Sequence, residues 1–280
     1  MSTPSALAGD LASLGAVPVA VRGSSFYLYP IAATVVLFVI WEVATRYGNV
    51  SPLILPAPSA ILAVVIDKFP VLMRMSAVTT YEFVAGFLLA AAMGLPLGAL
   101  IVYSRPIEMT FYPLLVAFQT IPKAAIAPVL IVWLGTGIMS KILIAFAISV
   151  FPIVVDTIIG LRSSQPETIY LARAMGATPF QVFRHVRFPN ALPAIFGGLK
   201  VACTLAVIGA IVGEFVSSDT GLGYLLLVAN GELDTRLVFA CVLVLTVLGL
   251  MFFFAIEALE RVFVRWHVSA RQAEAAASGG

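Results

Sequence analysis

Lys123 follows Pro122 within the mostly apolar stretch around "QTIPKAAIAP". An ionisable residue inside a segment that could cross a bilayer points to function, because placing its charge there is costly. A proline beside it removes a backbone N–H and frees a carbonyl from the helical ladder. A cation at this point attracts an anionic solute or forms part of a gate; the alternative is an ion pair with Asp156 or Glu214. Gln119, Pro122, Lys123 and Glu214 are therefore the candidates for a translocation pathway. Glu214, near the end of another apolar run, has an interfacial role as its alternative, and Asp156 a structural one. Lys200 is placed to snorkel toward headgroups. Glu42 and Arg46 stand four residues apart and pair on one helix face. Catalytic and metal chemistry have little material: Cys203 and Cys241 fall in apolar runs and read as small buried hydrophobes, and His185 and His267 are the only histidines. No catalytic, cofactor-binding or metal-ligating residue is assigned, and a membrane-embedded enzyme ranks last among the readings.

The elements that must position these residues are membrane spans. Of the 280 residues 61% are hydrophobic and 11% charged, against about 25% charged in soluble domains, so the expected fold class is an all-α integral membrane protein. A span needs about 20 mainly apolar residues. Six segments qualify: 27–46, 82–103, 108–134, 139–160, 192–215 and 237–260. The third is interrupted by Pro113, Pro122 and Pro128. Residues 1–25 lack the pattern of a secretory signal and read, like 267–280, as a cytoplasmic tail, leaving 26–266 as the transmembrane domain.

Orientation follows the excess of Arg and Lys in cytoplasmic segments. With the N-terminal tail inside, the inner segments carry Arg22, Arg105, Arg162, Arg173, Arg184, Arg187, Arg261, Arg265 and Arg271, and the outer ones Arg46, Lys68, Arg74, Lys141 and Arg236. Nine against five places both termini inside. Two outer segments look structured. "LPAPSAILAVVIDKF" suits an interfacial helix opening at Pro58 and Ser59, and "SSDTGLGYLLLVANGELDTR" a re-entrant or surface-lying one. Gly86, Ala90, Gly94 and Gly98 recur at steps of four and allow close helix approach, within the molecule or at a dimer seam.

The loop at about 163–190 carries two helix signatures. Ser164-Gln165-Pro166-Glu167 reads as a capping box, with a helix ending at Gly176. Thr178-Pro179-Phe180-Gln181 repeats the pattern, and the second helix is expected to stop before Pro189. Phe180, Phe183 and Val186 give it an apolar face, and Arg184, His185 and Arg187 cover the rest. Two capped helices at a tight turn suggest a docking element for a cytosolic partner.

This loop resembles the cytoplasmic loop of ATP-binding-cassette importer permeases, whose pattern is Glu-Ala-Ala, three residues, Gly, nine residues, Ile, one residue, Leu-Pro. Aligned on Gly176, the chain has Tyr170-Leu171-Ala172 and Val186-Arg187-Phe188-Pro189, so Tyr170 and Leu171 depart from the pattern. "LPAPSAIL" (55–62), "APVLIVWLGTGIMSKILI" (127–144), "SSDTGLGYLL" (217–226) and "DTRLVFA" (234–240) are similar to segments of nitrate/sulfonate/taurine-type permeases. "TIPKAAIAP" departs from the double-proline form of sulfonate-type members. The resemblance implies the type I importer fold of six spans with a cytoplasmic coupling-helix loop, in the bacterial inner membrane. It implies a second copy of the permease, two cytosolic ATPase subunits that bind ATP and Mg, and an extracytoplasmic substrate-binding protein. On that reading Glu167, Ala172, Arg173, Gly176, Ala177, Phe180, Phe183, Arg184, Arg187 and Pro189 dock the ATPase. The chain contains no G-x-x-x-x-G-K-[ST] phosphate loop, no cofactor is expected in it, and energy is expected from another subunit. A secondary transporter or channel is the alternative. The solute is left open among sulfonate, nitrate, taurine, a pyrimidine or another small organic compound.

Overall fold

The computed structural model describes residues 25–48 and 51–264; the expected tails, with Arg22, Arg265, His267 and Arg271, lie outside them, apart from Ser25. The chain divides into two compact units that part between Ile40 and Trp41. Regular structure among the described residues is helical. The helix α1, Ser25–Tyr47, contains the first expected span and crosses the division. The larger unit, Trp41–Arg265, holds the remainder: α2 Pro58–Asp67, α3 Phe69–Tyr103, α4 Arg105–Thr120, α5 Lys123–Leu134, α6 Ile138–Arg162, α7 Pro166–Ala174, α8 Pro179–Val182, a π turn Phe183–Arg187, α9 Phe188–Ser217, α10 Leu222–Gly231 and α11 Thr235–Phe263. Among the described residues four helical stretches are long and apolar enough to cross a membrane: Phe69–Tyr103, Ile138–Arg162, Pro179–Ser217 and Thr235–Phe263. The bent pair α4 and α5 makes a fifth if the two count as one span.

Helix α6 is the centre of the larger unit, packed between α3 and α9. Lipid tails supply no hydrophobic drive between helices, so close van der Waals contact has to hold them. The small residues of α3 provide it: a Cβ on Gly86 would meet the Ala145 Cβ at 2.6 Å, and one on Gly98 the Thr157 Cβ at 2.8 Å. From the other side, a Cβ on Gly209 of α9 would meet the Ala145 Cα at 2.6 Å. The stripe Gly86, Ala90, Gly94, Gly98 is thus an internal seam. Phe252 of α11 closes the core over α3, its ring 5.2 Å from Phe83 and 5.1 Å from Phe87.

Several boundaries differ from expectation for local reasons. The second span begins thirteen residues earlier than 82, at Phe69. Arg74, Ser76, Thr79 and Thr80 dilute its apolar pattern, yet Ser76 Oγ bonds back to the Leu72 carbonyl at 2.7 Å and the helix continues. Of the three prolines in 108–134, Pro113 and Pro128 lie inside α4 and α5 without ending them. The break falls at Ile121-Pro122, where Ile121 takes the extended conformation (φ −70°, ψ 129°) that a following proline imposes. Both short helices expected outside the spans are present as α2 and α10. Glu42 and Arg46 pair at 2.5 Å, and Glu42 also accepts the Ser59 N–H at 3.0 Å and the Ser59 hydroxyl at 2.7 Å, which ties the end of α1 to the start of α2. Lys200 is ion-paired with Glu260 and stands 5.8 Å from the Phe253 ring centroid, which gives it a partner inside the protein in place of the expected headgroup contact.

Candidate functional site

Two constellations stand at opposite ends of the α6–α9 pair. At one end, the loop joining them is built by local rules. Gln165 precedes Pro166 and is extended, so α7 starts at Pro166 with Gln165 at its cap and no side-chain cap bond. The expected Ser164 box is therefore absent. Ser164 is buried and faces Asn190, whose Nδ2 donates to Ser163 Oγ at 3.1 Å and reaches Ser164 Oγ at 3.5 Å. Glu167 sits exposed in the first turn of α7, where a negative charge suits the helix dipole. The helix ends as expected at Gly176, with φ +86°. Ala177 N–H donates to the Ala172 carbonyl at 3.0 Å and Gly176 N–H to the Arg173 carbonyl at 2.9 Å, the paired bonds of a Schellman ending.

The Thr178 box forms as read: Gln181 N–H donates to Thr178 Oγ1 at 3.3 Å, and Thr178 N–H to Gln181 Oε1 at 2.7 Å. The expected stop before Pro189 does not occur. The turn widens to π geometry over Phe183–Arg187, with Phe188 N–H bonded to the Phe183 carbonyl, and runs without a break into α9. A proline ring would strike the carbonyl four residues back in a regular helix; the wider turn relieves that contact, and Pro189 enters in the first turn of α9. The π turn also rotates the apolar face. Val182 is buried and the Phe183 ring packs edge-on against Tyr103 at 5.3 Å, whereas Phe180 points out. Arg187 turns inward, its guanidinium 5.6 Å from the centroid of the Tyr103 ring. The exposed surface is then Tyr170, Leu171, Met175 and Phe180, flanked by Arg173 and Arg184. Beside it a cleft of about 440 Å³ is lined by Arg162, Arg173, Arg187 and Glu108, with Arg162 bonded to Glu108 at 2.6 Å.

At the other end, three helices bring charge into the interior. Glu214 of α9 is buried, which removes the interfacial alternative. Thr79 of α3 donates its hydroxyl to Glu214 Oε1 at 2.6 Å and accepts the Leu222 N–H at 2.8 Å, while Gly223 N–H donates to Glu214 Oε2 at 2.5 Å. A carboxylate thus caps the N-terminus of α10. Gly221 makes room for it: its φ is +102°, and a Cβ there would fall 2.0 Å from Glu214 Oε1. Beside this pair lie Lys141 of α6 and Glu82 of α3, 4% and 0% exposed, with Lys141 Nζ 3.6 Å from Glu82 Oε1 and 2.6 Å from Ser218 Oγ. Lys141 is thus an interior charge, not the loop charge counted in setting the orientation. The cluster opens on a mouth of about 550 Å³ lined by Glu82, Lys141, Asp219 and the segments Thr136–Ile138 and Ser217–Thr220.

Of the remaining sequence candidates, Gln119 and Pro122 are exposed at the α4–α5 break, away from this cluster, and the Lys123 side chain lies outside what the structure describes. Sequence reasoning missed Glu82, Lys141 and Thr79. Glu82 stood at the assumed first residue of a span and Lys141 near the start of another, where each reads as a boundary charge. For Glu82 the helix extends thirteen residues further outward, to Phe69, which puts it in the interior of a helix; for Lys141, whose helix begins at Ile138, no such signal was present.

The chain matches the family described as "Binding-protein-dependent transport system inner membrane component" over residues 83–265. It is 37% identical over 240 residues to the formylaminopyrimidine transport permease protein ThiX of Halalkalibacterium halodurans, covering 85% of this chain and 96% of that one. It is 30% identical over 236 residues to an aliphatic sulfonates transport permease protein, SsuC, of Bacillus subtilis, covering 84% of this chain and 86% of that one. Its fold is similar to the MetNI methionine ABC transporter in an inward-facing conformation, with a TM-score of 0.60 at 22% identity over 70% of this chain and 98% of that one. The chain therefore belongs to the binding-protein-dependent transport inner membrane components and is a permease subunit of an ATP-binding-cassette importer.

Proposed function

We propose that this permease carries a small heteroaromatic solute bearing N–H donors, and that ATP hydrolysis by a separate subunit reaches it through the loop 163–190. In this reading α1 and the bent α4–α5 pair complete six spans, both termini face the cytosol of a bacterial cell, and two copies form the pathway. A soluble protein delivers solute to the 217–220 end. The chain itself holds no cofactor; ATP and Mg belong to the partner ATPase subunits.

The observation that carries the docking role is the exposed face of the loop: Met175 and Phe180 are 80% and 66% exposed on short helices fixed by a Schellman ending and a capping box. An apolar patch presented on rigid, capped backbone suits transmission of a partner's rigid-body movement. Tyr170 and Leu171, the departures from the family pattern, are exposed on α7 as well, so this helix offers apolar surface where a Glu carboxylate would have been polar. The solute class is supported by the higher identity to a formylaminopyrimidine permease than to a sulfonate one, 37% against 30%.

A single-cysteine crosslink tests the docking. Cys203 and Cys241 are buried, so Phe180→Cys is the accessible thiol on that face. It is expected to capture an ATPase subunit, with a yield that changes on adding ATP. If Asp219→Cys captures the ATPase and Phe180→Cys does not, the orientation and the docking role are both wrong.

A further inference from the structure

Arg173 and Arg187 are cations that the bundle leaves without a counter-charge. Both line the cleft of about 440 Å³ beside the loop, at the end of the bundle where α3 stops at Tyr103 and α6 at Arg162. Arg162, in the same lining, is neutralised by Glu108 at 2.6 Å. Among the described residues no carboxylate stands within ion-pair distance of Arg173 or Arg187. Arg187 is half-buried and held over the Tyr103 ring, and its Nε is buried with no hydrogen-bond partner among the described residues. Tyr170 lines the cleft too, at the position where the loop pattern has Glu, so a carboxylate that would offset the two arginines is missing there.

A guanidinium presents planar N–H donors that fit the oxygens of a phosphate. Basic recesses between spans at a membrane surface hold anionic headgroups in this way. Tyr103, under the Arg187 guanidinium, also lines an apolar groove of about 470 Å³, with Pro96 and Leu100 of α3 and Phe180 and Phe183 of the loop. The cationic cleft and the apolar groove thus meet at the Tyr103–Arg187 contact, where the helix Phe69–Tyr103, long and apolar enough to cross a membrane, ends. Free phosphate or an acidic protein segment would fill the cleft and leave the groove open. A phospholipid carries the anion and the hydrocarbon in one molecule.

We propose that cleft and groove together bind one anionic phospholipid, with its phosphate at Arg173 and Arg187 and an acyl chain along Leu100 and Phe183. The site depends on neither the solute class nor the docking role proposed above. The test is native mass spectrometry of the full-length permease in detergent with dioleoylphosphatidylglycerol or dioleoylphosphatidylcholine. Wild type retains one phosphatidylglycerol and no phosphatidylcholine. Arg187→Gln and Arg173→Gln each weaken retention about fivefold or more, as removal of one cation at a headgroup does, and Tyr170→Glu, which restores a carboxylate, weakens it likewise. Arg184→Gln, on the same loop but outside the cleft lining, retains the lipid as wild type does. Tyr170 and Arg173 are exposed, so their variants carry the test if Arg187→Gln does not fold. Equal retention of phosphatidylcholine, unchanged retention in Tyr170→Glu and Arg173→Gln, or an equal loss in Arg184→Gln overturns the site. Displacement by excess inorganic phosphate reduces it to a small-anion site, and loss of the lipid from the assembled transporter assigns the cleft to the ATPase contact; either overturns the proposal. The docking crosslink separates the two levels. Capture of the ATPase by Phe180→Cys without lipid retention removes the site and leaves the docking role, and retention without capture does the reverse.

Discussion

Lys141 Nζ lies 3.6 Å from Glu82 Oε1, with both side chains almost wholly inside the helix bundle. The pair joins α3 to α6 at the end where α9 turns into α10 and where Glu214 caps α10. Charge, helix packing and the opening lined by Ser217–Thr220 therefore meet at one place.

Removing one member of a buried pair leaves the other uncompensated, at a cost of about 3–5 kcal/mol. Lys141→Met is expected to lower thermal stability in detergent by that order, and adding Glu82→Gln is expected to recover most of the loss. A double-mutant cycle on unfolding midpoints reads the coupling; additive effects of the two substitutions would show that the pair does not interact.

The Thr79 hydroxyl donates to Glu214, with the Met75 carbonyl a longer second acceptor at 3.3 Å, and accepts from Leu222. Thr79→Val keeps the shape and removes both bonds, so a loss of about 1–3 kcal/mol is expected from the groups left unpaired. Thr79→Ser is expected to stay near wild type. Comparable melting of the two variants would mean that only the volume of Thr79 matters.

The glycine seam predicts a position-specific response. Gly98→Val drives a side chain into Thr157 and is expected to cost about 1–3 kcal/mol or more through overpacking. Gly249→Ala meets nothing within 4 Å and is expected to be neutral or slightly stabilising, because alanine is favoured over glycine in a helix by about 1 kcal/mol. Equal yields of folded protein from both would contradict the internal seam.

In the loop, Gly176→Val forces a β-branched residue into positive φ, and Arg184→Glu reverses an exposed charge. Both are expected to reduce ATP-dependent transport at least about tenfold, equivalent to about 1.4 kcal/mol of coupling, while insertion into the membrane persists. Normal transport with either variant would exclude the loop from coupling.

Local features were legible in the sequence. The apolar run 139–160 became Ile138–Arg162, the Thr178–Gln181 box formed with both of its bonds, and Gly176 took the left-handed turn. Each depends on residues within a few positions of one another. The Ser164 box failed because Pro166 fixed Gln165 as the cap and Asn190, distant in sequence, took up the serines. The π turn accommodates Pro189, but where it aims Phe183 and Arg187, toward Tyr103 across the bundle, no spacing encodes. Glu82, Lys141 and Glu214 come from three helices; each alone reads as a charge near a boundary, and only their assembly shows that they are buried together.

Transport itself is the most direct test of the central claim. Purified permease is reconstituted in liposomes, alone and with its ATPase subunit and binding protein, and uptake of formylaminopyrimidine is measured with and without ATP. The account predicts uptake only in the complete system and only with hydrolysable ATP. Uptake by the permease alone, driven by a proton gradient or by the solute gradient, would contradict it.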